Sequence, residues 1–255
     1  MPKGKEEKNA RRREAKKKPA IGCVIFDLDD TLYDCFGQRV RPAHRQAARA
    51  MIAAGLRGTV EAVYRARMQA FREDPTLRHI DADVCRRFHA DDPGRISRAA
   101  RDAYFNCPVG KLKLFAGTRP LLRFLRAQGV RNFVVSFGEP KTQHAKVKSL
   151  GLDREPAIEK IFYADRDKTV TKESAFKEIQ QRVGIPVEQM LVVGDRPLSE
   201  IRAGNDLGMH TVRVHRGEFA AQRPSGSQER PDFVVHNIAE VRRLPFQWGV
   251  RAKGR

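Results

Sequence analysis

The stretch Ile21 to Asp34, IGCVIFDLDDTLYD, sets the architecture of this 255-residue chain. Ile21 to Phe26 is a short apolar run of the kind that fills a strand buried on both faces. It gives way at once to Asp27, Leu28, Asp29, Asp30 and Thr31. Three carboxylates in four positions at the mouth of an apolar strand repel one another and gain nothing from burial. An acidic turn that caps a following helix is one explanation. The order DxDxT directly after such a strand favours another, a bound divalent cation. Alternate residues of a strand share a side, so Asp27 and Asp29 project together and can share a hard cation such as Mg2+.

Outward from this point the pattern changes twice. Pro42 to Ala54 is alanine-rich and ends at Gly55, the signature of a helix with a glycine terminator. Thr59 can cap a second helix, in which Val60, Val63, Tyr64, Met68 and Phe71 recur at helical spacing until Asp74-Pro75. Shorter helical patterns cover Asp81 to His89 and Arg95 to Asn106, with no strand signal between Gln38 and Cys107. From Gly117 helix and strand alternate. Helices are expected at Thr118 to Gln128, Lys141 to Leu150, Lys172 to Val183 and Leu198 to Leu207. Strands are expected at Arg131 to Ser136, Lys160 to Ala164, Met190 to Gly194 and Thr211 to Val214. A last strand and helix, Asp232 to Val235 and Ile238 to Leu244, close the series. Such alternation predicts an α/β fold with a doubly wound parallel sheet. Its domains read as a catalytic core at 20–37 and 114–246, an inserted all-helical cap at 38–113, a disordered basic tail at 1–19 and a basic end at 247–255.

Composition narrows the partners. The formal charge is +19, and residues 1–20 carry nine Lys or Arg against three Glu, leaving +13 on the rest. Such a field favours anions: phosphorylated metabolites, nucleic acid or an acidic membrane surface. Cys23, Cys35, Cys85 and Cys107 form no C-x-x-C pair, which argues against zinc and for free thiols in a reducing compartment. No run reaches the length of a membrane span, so the expected location is cytoplasmic.

In a parallel sheet, ligands bind at the carboxyl ends of the strands near the switch in strand order. Those ends supply Ser136 and Phe137 from VVSFG, and Asp195 from LVVGD with Glu200 five residues on. The Ser136 hydroxyl and the backbone N–H groups after it suit a phosphoryl oxygen. Lys172 opens a helix, where its charge and the helix dipole draw an anion; Lys168 competes for that role.

In this order the set resembles the haloacid dehalogenase superfamily, in its phosphohydrolase branch. DLDDTLYD matches the first motif, VVSFG the second, Lys172 the third and VVGDRPLSEIRAGNDLGM the fourth, over Ile21 to about Leu244. QHAKVKSLGL is similar to the helix after the second motif. Glu200 stands where the family more often has Asp, and Phe137 where Asn is common. The resemblance implies hydrolysis of a phosphate monoester of a small metabolite, on the scale of phosphoglycolate, a sugar phosphate or a nucleotide. Asp27 would be the nucleophile that forms an aspartyl-phosphate, and Asp29 the acid and base. Mg2+ would be held by Asp27, the backbone carbonyl of Asp29, and Asp195, with Ser136, Phe137 and Lys172 on the phosphoryl oxygens. Asp29 also separates this chemistry from dehalogenation, which needs no acid two residues past the nucleophile. Arg65, Arg67, Arg72, Arg86 and Arg87 of the helical cap are candidates for a second anionic group on the substrate. The alternative function is a nucleic-acid- or ribosome-associated protein that binds through its basic tail, against which stands the absence of an aromatic platform.

Overall fold

The computed structural model describes residues 18–73, 79–165 and 170–249. The basic N-terminal tail as far as residue 17, the Asp74-Pro75 helix stop, Lys168 and residues 250–255 lie outside the described residues.

The apolar run after residue 20 is shared between two sheets. Ala20–Ile21 (β1) pairs in parallel with Gln247–Trp248 (β8), two residues that the sequence reading places in the terminal tail. At Gly22 the chain changes partners, and Cys23–Phe26 (β2) enters a six-stranded sheet between Arg131–Phe137 (β3) and Met190–Gly194 (β5). Lys160–Ala164 (β4) flanks β3. His210–Val214 (β6) and Phe233–Val235 (β7) extend the other side, for an all-parallel order β4-β3-β2-β5-β6-β7. β2 is where successive strands go to opposite sides, so its carboxyl end is the switch point.

Period-two alternation sorts β2 between two cores. Val24 and Phe26 join the larger apolar cluster with Leu121, Leu122 and Leu125 of helix Thr118–Ala127. Cys23 and Ile25 face a second cluster with Phe176 and Ile179 of helix Lys172–Val183. All four β2 side chains are fully buried, each large one worth roughly 2 kcal/mol of removal from water. This is the physical reason for an unbroken apolar run ahead of the acids.

Between β2 and the Thr118–Ala127 helix lie only helices and turns among the described residues. Their order is a wide turn at Phe36–Val40, closed by Arg41 N–H on the Phe36 carbonyl, then α1 (Arg41–Ala53), α2 (Val60–Glu73), α3 (Ile80–Arg87) and α4 (Pro93–Phe105). Buried Ala43, Ala47, Ala48 and Ala100 let α1 and α4 approach closely. The two chain crossings at the base of this block are tied together. Gln38 exchanges hydrogen bonds with both backbone groups of Lys113, and Thr118 Oγ1 donates to the Leu32 carbonyl at 2.8 Å. In the core, the helices between strands are α5 (Thr118–Ala127), α6 (Pro140–Leu150) and α7 (Lys172–Val183), followed by the short α8 (Arg202–Asp206). α6 and α7 end on Gly151 and Gly184 in the left-handed conformation that glycine adopts without strain. The last helix expected, at Ile238 to Leu244, is a tighter turn at Ile238–Arg243 ahead of β8. Among the described residues no helix is long and apolar enough to cross a membrane.

Candidate active site

The ladder of β2 carries on one residue into the acidic segment. Asp27 N–H donates to the Val193 carbonyl at 2.9 Å, which seats the Asp27 carboxylate at the sheet's carboxyl edge. Lys172 meets it from the first turn of α7, whose start is fixed by a reciprocal Thr171–Ser174 capping box. A cation at a helix start opposes the dipole, and two carboxylates hold this one in place. Its Nζ lies 2.5 Å from Asp27 Oδ1 and 2.6 Å from Glu200 Oε2. Burial alone would lower the Lys172 pKa; the paired carboxylates outweigh it, and the net shift is upward.

Glu200 reaches this position from a second wide turn, Pro197–Ile201. Its other oxygen, Oε1, accepts the N–H groups of Asp195 and Arg196 at 3.1 and 2.9 Å. Gly194 makes room: a Cβ there would sit 2.0 Å from Glu200 Cγ. Burial opposes ionisation of Glu200, yet Lys172 and Arg196 hold its pKa well down, to about 2. Asp27 and Asp195 move the other way. Burial raises both, and neighbouring carboxylates add to it.

These residues fit a cation. Asp27, Asp195 and Glu200 offer carboxylate oxygens within 4.8 Å of one another, against the single ammonium of Lys172. Asp195 Oδ1 is sealed from solvent with no hydrogen-bond partner. An orphaned anionic oxygen in a cluster of excess negative charge is what a hard divalent ion satisfies. Both Glu200 oxygens are already engaged, so Glu200 buttresses the cluster from behind.

Asp29 is held separately. Tyr33 donates to its Oδ1 at 2.8 Å and Lys146 to its Oδ2 at 2.6 Å. Burial works against its charge, but Lys146 and these hydrogen bonds prevail and lower its pKa. Both carboxylate oxygens are thereby engaged, which leaves the backbone carbonyl as the group Asp29 could offer an ion.

Ser136 is buried at the end of β3 with its hydroxyl committed to Gln143 Oε1 at 2.9 Å, while Gln143 Nε2 donates to the Phe137 carbonyl. Phe137, Gly138 and Gln143 line the cavity; Ser136 lies beneath them. Lys146 and Gln143 were not singled out in the sequence reading. Their signal is a pair of polar residues on the buried stripe of α6, otherwise Val147 and Leu150.

The cluster opens into a cavity of about 820 Å³, within the size range of small-ligand sites. Core residues form its floor, and Arg39, Phe71, Tyr104 and Phe105 of the helical block form the opposite wall. The five arginines proposed from sequence for a second anion are elsewhere. Arg67 is buried in an ion pair with Asp81. Arg65 and Arg72 line a separate groove with Tyr64. Arg86 pairs with Asp83, and Arg87 donates to Gln69.

A doubly wound parallel sheet with acids at its switch point and a helical block over them is the architecture of a large hydrolase family, and the sequence matches it directly. Residues 21–208 fit the model of the haloacid dehalogenase-like hydrolases, to which this chain belongs. Over 87% of its length, and 95% of the relative's, it is 32% identical to a glyceraldehyde 3-phosphate phosphatase of Methanopyrus kandleri. Solved structures of the same fold include a predicted phosphoglycolate phosphatase from Haemophilus somnus. It is 18% identical, with a TM-score of 0.61 over 88% of this chain and 97% of that one. Another is an L-2-haloacid dehalogenase of Xanthobacter autotrophicus, 18% identical, at a TM-score of 0.53 over 88% and 98%. The fold thus accommodates both chemistries. The sequence relatives separate them: this chain is a phosphatase of the family.

Proposed function

We propose that the chain hydrolyses the phosphate monoester of a small sugar-phosphate-like metabolite, with Mg2+, through an aspartyl-phosphate on Asp27. The observation that carries this reading is the Asp27–Lys172–Glu200 cluster, with Asp29 two residues on and both carboxylates at the mouth of one cavity. A three-carbon substrate is favoured by the name of the Methanopyrus relative.

Asp27 attacks phosphorus in line with the ester oxygen, so one difficult displacement becomes two. Lys172, fixed between Asp27 and Glu200, opposes the burial that raises the Asp27 pKa and sets positive charge beside the transferring oxygens. A bound Mg2+, held by Asp27, Asp195 and the Asp29 carbonyl, would supply the remaining neutralisation of carboxylate and phosphate. Asp29 is ionised beside Lys146 in the free chain, so it must first take up a proton as the phosphate ester binds; as the ester bond breaks it gives that proton to the leaving oxygen. Asp29 then takes a proton from the water that attacks the acyl-phosphate, and inorganic phosphate departs. Lys146 and Tyr33 hold the Asp29 carboxylate in one orientation through both half-reactions. Phe137 and the backbone after β3 line the phosphoryl pocket, with Ser136 as the support that fixes Gln143. The helical block serves as a cap that excludes water from the acyl-phosphate.

The test is Asp27→Asn assayed on p-nitrophenyl phosphate with Mg2+. Turnover should fall at least about a thousandfold with thermal unfolding unchanged. Retention of a tenth of the activity would sink the nucleophile assignment.

A further inference from the structure

Arg39 is a buried charge without a counter-ion among the described residues. It is only 8% exposed, and two of its three guanidinium nitrogens, Nε and Nη1, are sealed from solvent with no hydrogen-bond partner. Burying an unpaired cation costs several kcal/mol, so a chain that keeps one does so for something that binds it. Arg39 lines the cavity that Asp27 also lines, together with Val40, Phe71, Tyr104 and Phe105 of the helical block. Those apolar neighbours strengthen any ionic contact made there.

Several other charges of the cavity are engaged, while Asp195 Oδ1 and Arg196 Nε are not. Lys172 is paired with Asp27 and Glu200, and Lys146 with Asp29. Asp30 accepts the N–H groups of Phe36 and Glu218, and Glu139 those of Lys141 and Thr142. Arg196 stacks on Phe219. Arg39 makes no ion pair among the described residues, and Arg196 Nε is likewise unpartnered, but only Arg39 sits among the apolar residues of the helical block, and its position is fixed. The turn Phe36–Val40 is fastened to the acidic segment by Asp30 Oδ1 on Phe36 N–H at 3.0 Å and by Asp34 Oδ1 on Gly37 N–H at 2.8 Å. The segment that carries the attacking carboxylate therefore also sets the reach to the guanidinium.

We propose that Arg39 receives a second oxyanion of the substrate, a carboxylate or a second phosphate, at the end remote from the scissile phosphoryl. The chain is then selective for phosphate esters carrying two anionic groups. This rests on the phosphatase reading above, and takes its specificity further than the relatives do. A planar guanidinium matches both groups, because each offers two oxygens to parallel N–H donors.

The experiment compares matched pairs: 3-phosphoglycerate against glycerol 3-phosphate, and fructose 1,6-bisphosphate against fructose 6-phosphate. Dissociation constants are measured by calorimetry without Mg2+, and kcat/KM with Mg2+, for wild type, Arg39→Met and Arg39→Lys. In wild type the member of at least one pair that carries two anionic groups should bind at least about tenfold more tightly, and the preferred pair tells carboxylate from phosphate. Arg39→Met should bring that ratio to within about threefold, and Arg39→Lys should keep part of it. Arg39→Met should also unfold at the same or a higher temperature, since it removes an unpaired buried charge; a packing role would lower it. Equal binding within both pairs in wild type, or a ratio that survives Arg39→Met, would overturn the proposal. Absent turnover of every ester by wild type, with the binding preference intact, would instead overturn the phosphatase reading.

Discussion

The sheet's carboxyl edge and the helical block above it treat buried charge in opposite ways. At the edge each lysine is matched: Lys172 to Asp27 and Glu200, Lys146 to Asp29. In the helical block one arginine, Arg67, is matched to Asp81, while Arg39 is left open toward the cavity. Matched charges hold a geometry; an open one waits for a ligand. The contrast separates groups that position the reaction from a group that selects its substrate.

The contrast breaks most severely at Lys172. Lys172→Met leaves Asp27 and Glu200 facing each other in a buried site, so both turnover and stability should suffer. The expected losses are about a thousandfold in kcat and roughly 3–5 kcal/mol in unfolding free energy, read by p-nitrophenyl phosphate assay and urea denaturation. An active, fully stable variant would show that the pair is ornamental. Arg67→Met tests the other region. It should cost a similar roughly 3–5 kcal/mol, because Asp81 is left unpaired, yet kcat of the folded fraction should stay within about twofold. A collapse of kcat would place Arg67 in the site after all.

The smallest effect is at half-buried Glu218, which lines the cavity beside Arg196. Burial raises its pKa to about 7, opposed by Arg196 and reinforced by Asp30 and Asp29. An acid that binds its proton more tightly in the folded state favours folding below its unfolded pKa of about 4.5. That advantage is lost as pH rises through about 7. Glu218→Gln cannot ionise, so its stability relative to wild type should grow by about 1 kcal/mol between pH 5 and pH 8, after allowance for exposure. A difference that is flat with pH, in thermal unfolding across that range, would remove Glu218 from the set of strained charges.

Much of the edge was legible in the sequence because a parallel sheet leaves so few places for acids. Asp27, Asp195 and Lys172 each sit directly after a strand or at a helix start, where the sequence pattern alone fixes the position of a side chain. Three features were not legible, each for a physical reason. The run after Ile21 changes sheets at Gly22, and apolar content is the same on both sides of that switch. Ser136 ends a strand as expected, but the direction of its hydroxyl depends on Gln143 seven residues away. Arg39 is delivered by a wide turn, in which a residue inserted into the helical hydrogen-bond ladder breaks the periodicity that sequence reading relies on. The helical block as a whole was evident from its spacing. Which of its many arginines meets the site was not, since periodicity fixes a helix's buried stripe without saying what that stripe is buried against.

The two-residue ladder between β1 and β8 gives the molecule nearly the topology of a ring. Gln247 N–H reaches the Pro19 carbonyl at 2.9 Å and Gly249 N–H the Ile21 carbonyl at 2.8 Å, so the first and last described residues meet beneath the sheet. The cavity lies at the opposite ends of the strands, roughly 13 Å away along the four residues of β2. A short peptide joining these ends would cross no part of the cavity. The chain could then be reopened at Gly226, past the cavity-lining Glu218 and Phe219, as a circular permutant, or carry a fused partner at its base, without obstructing the entry of substrate.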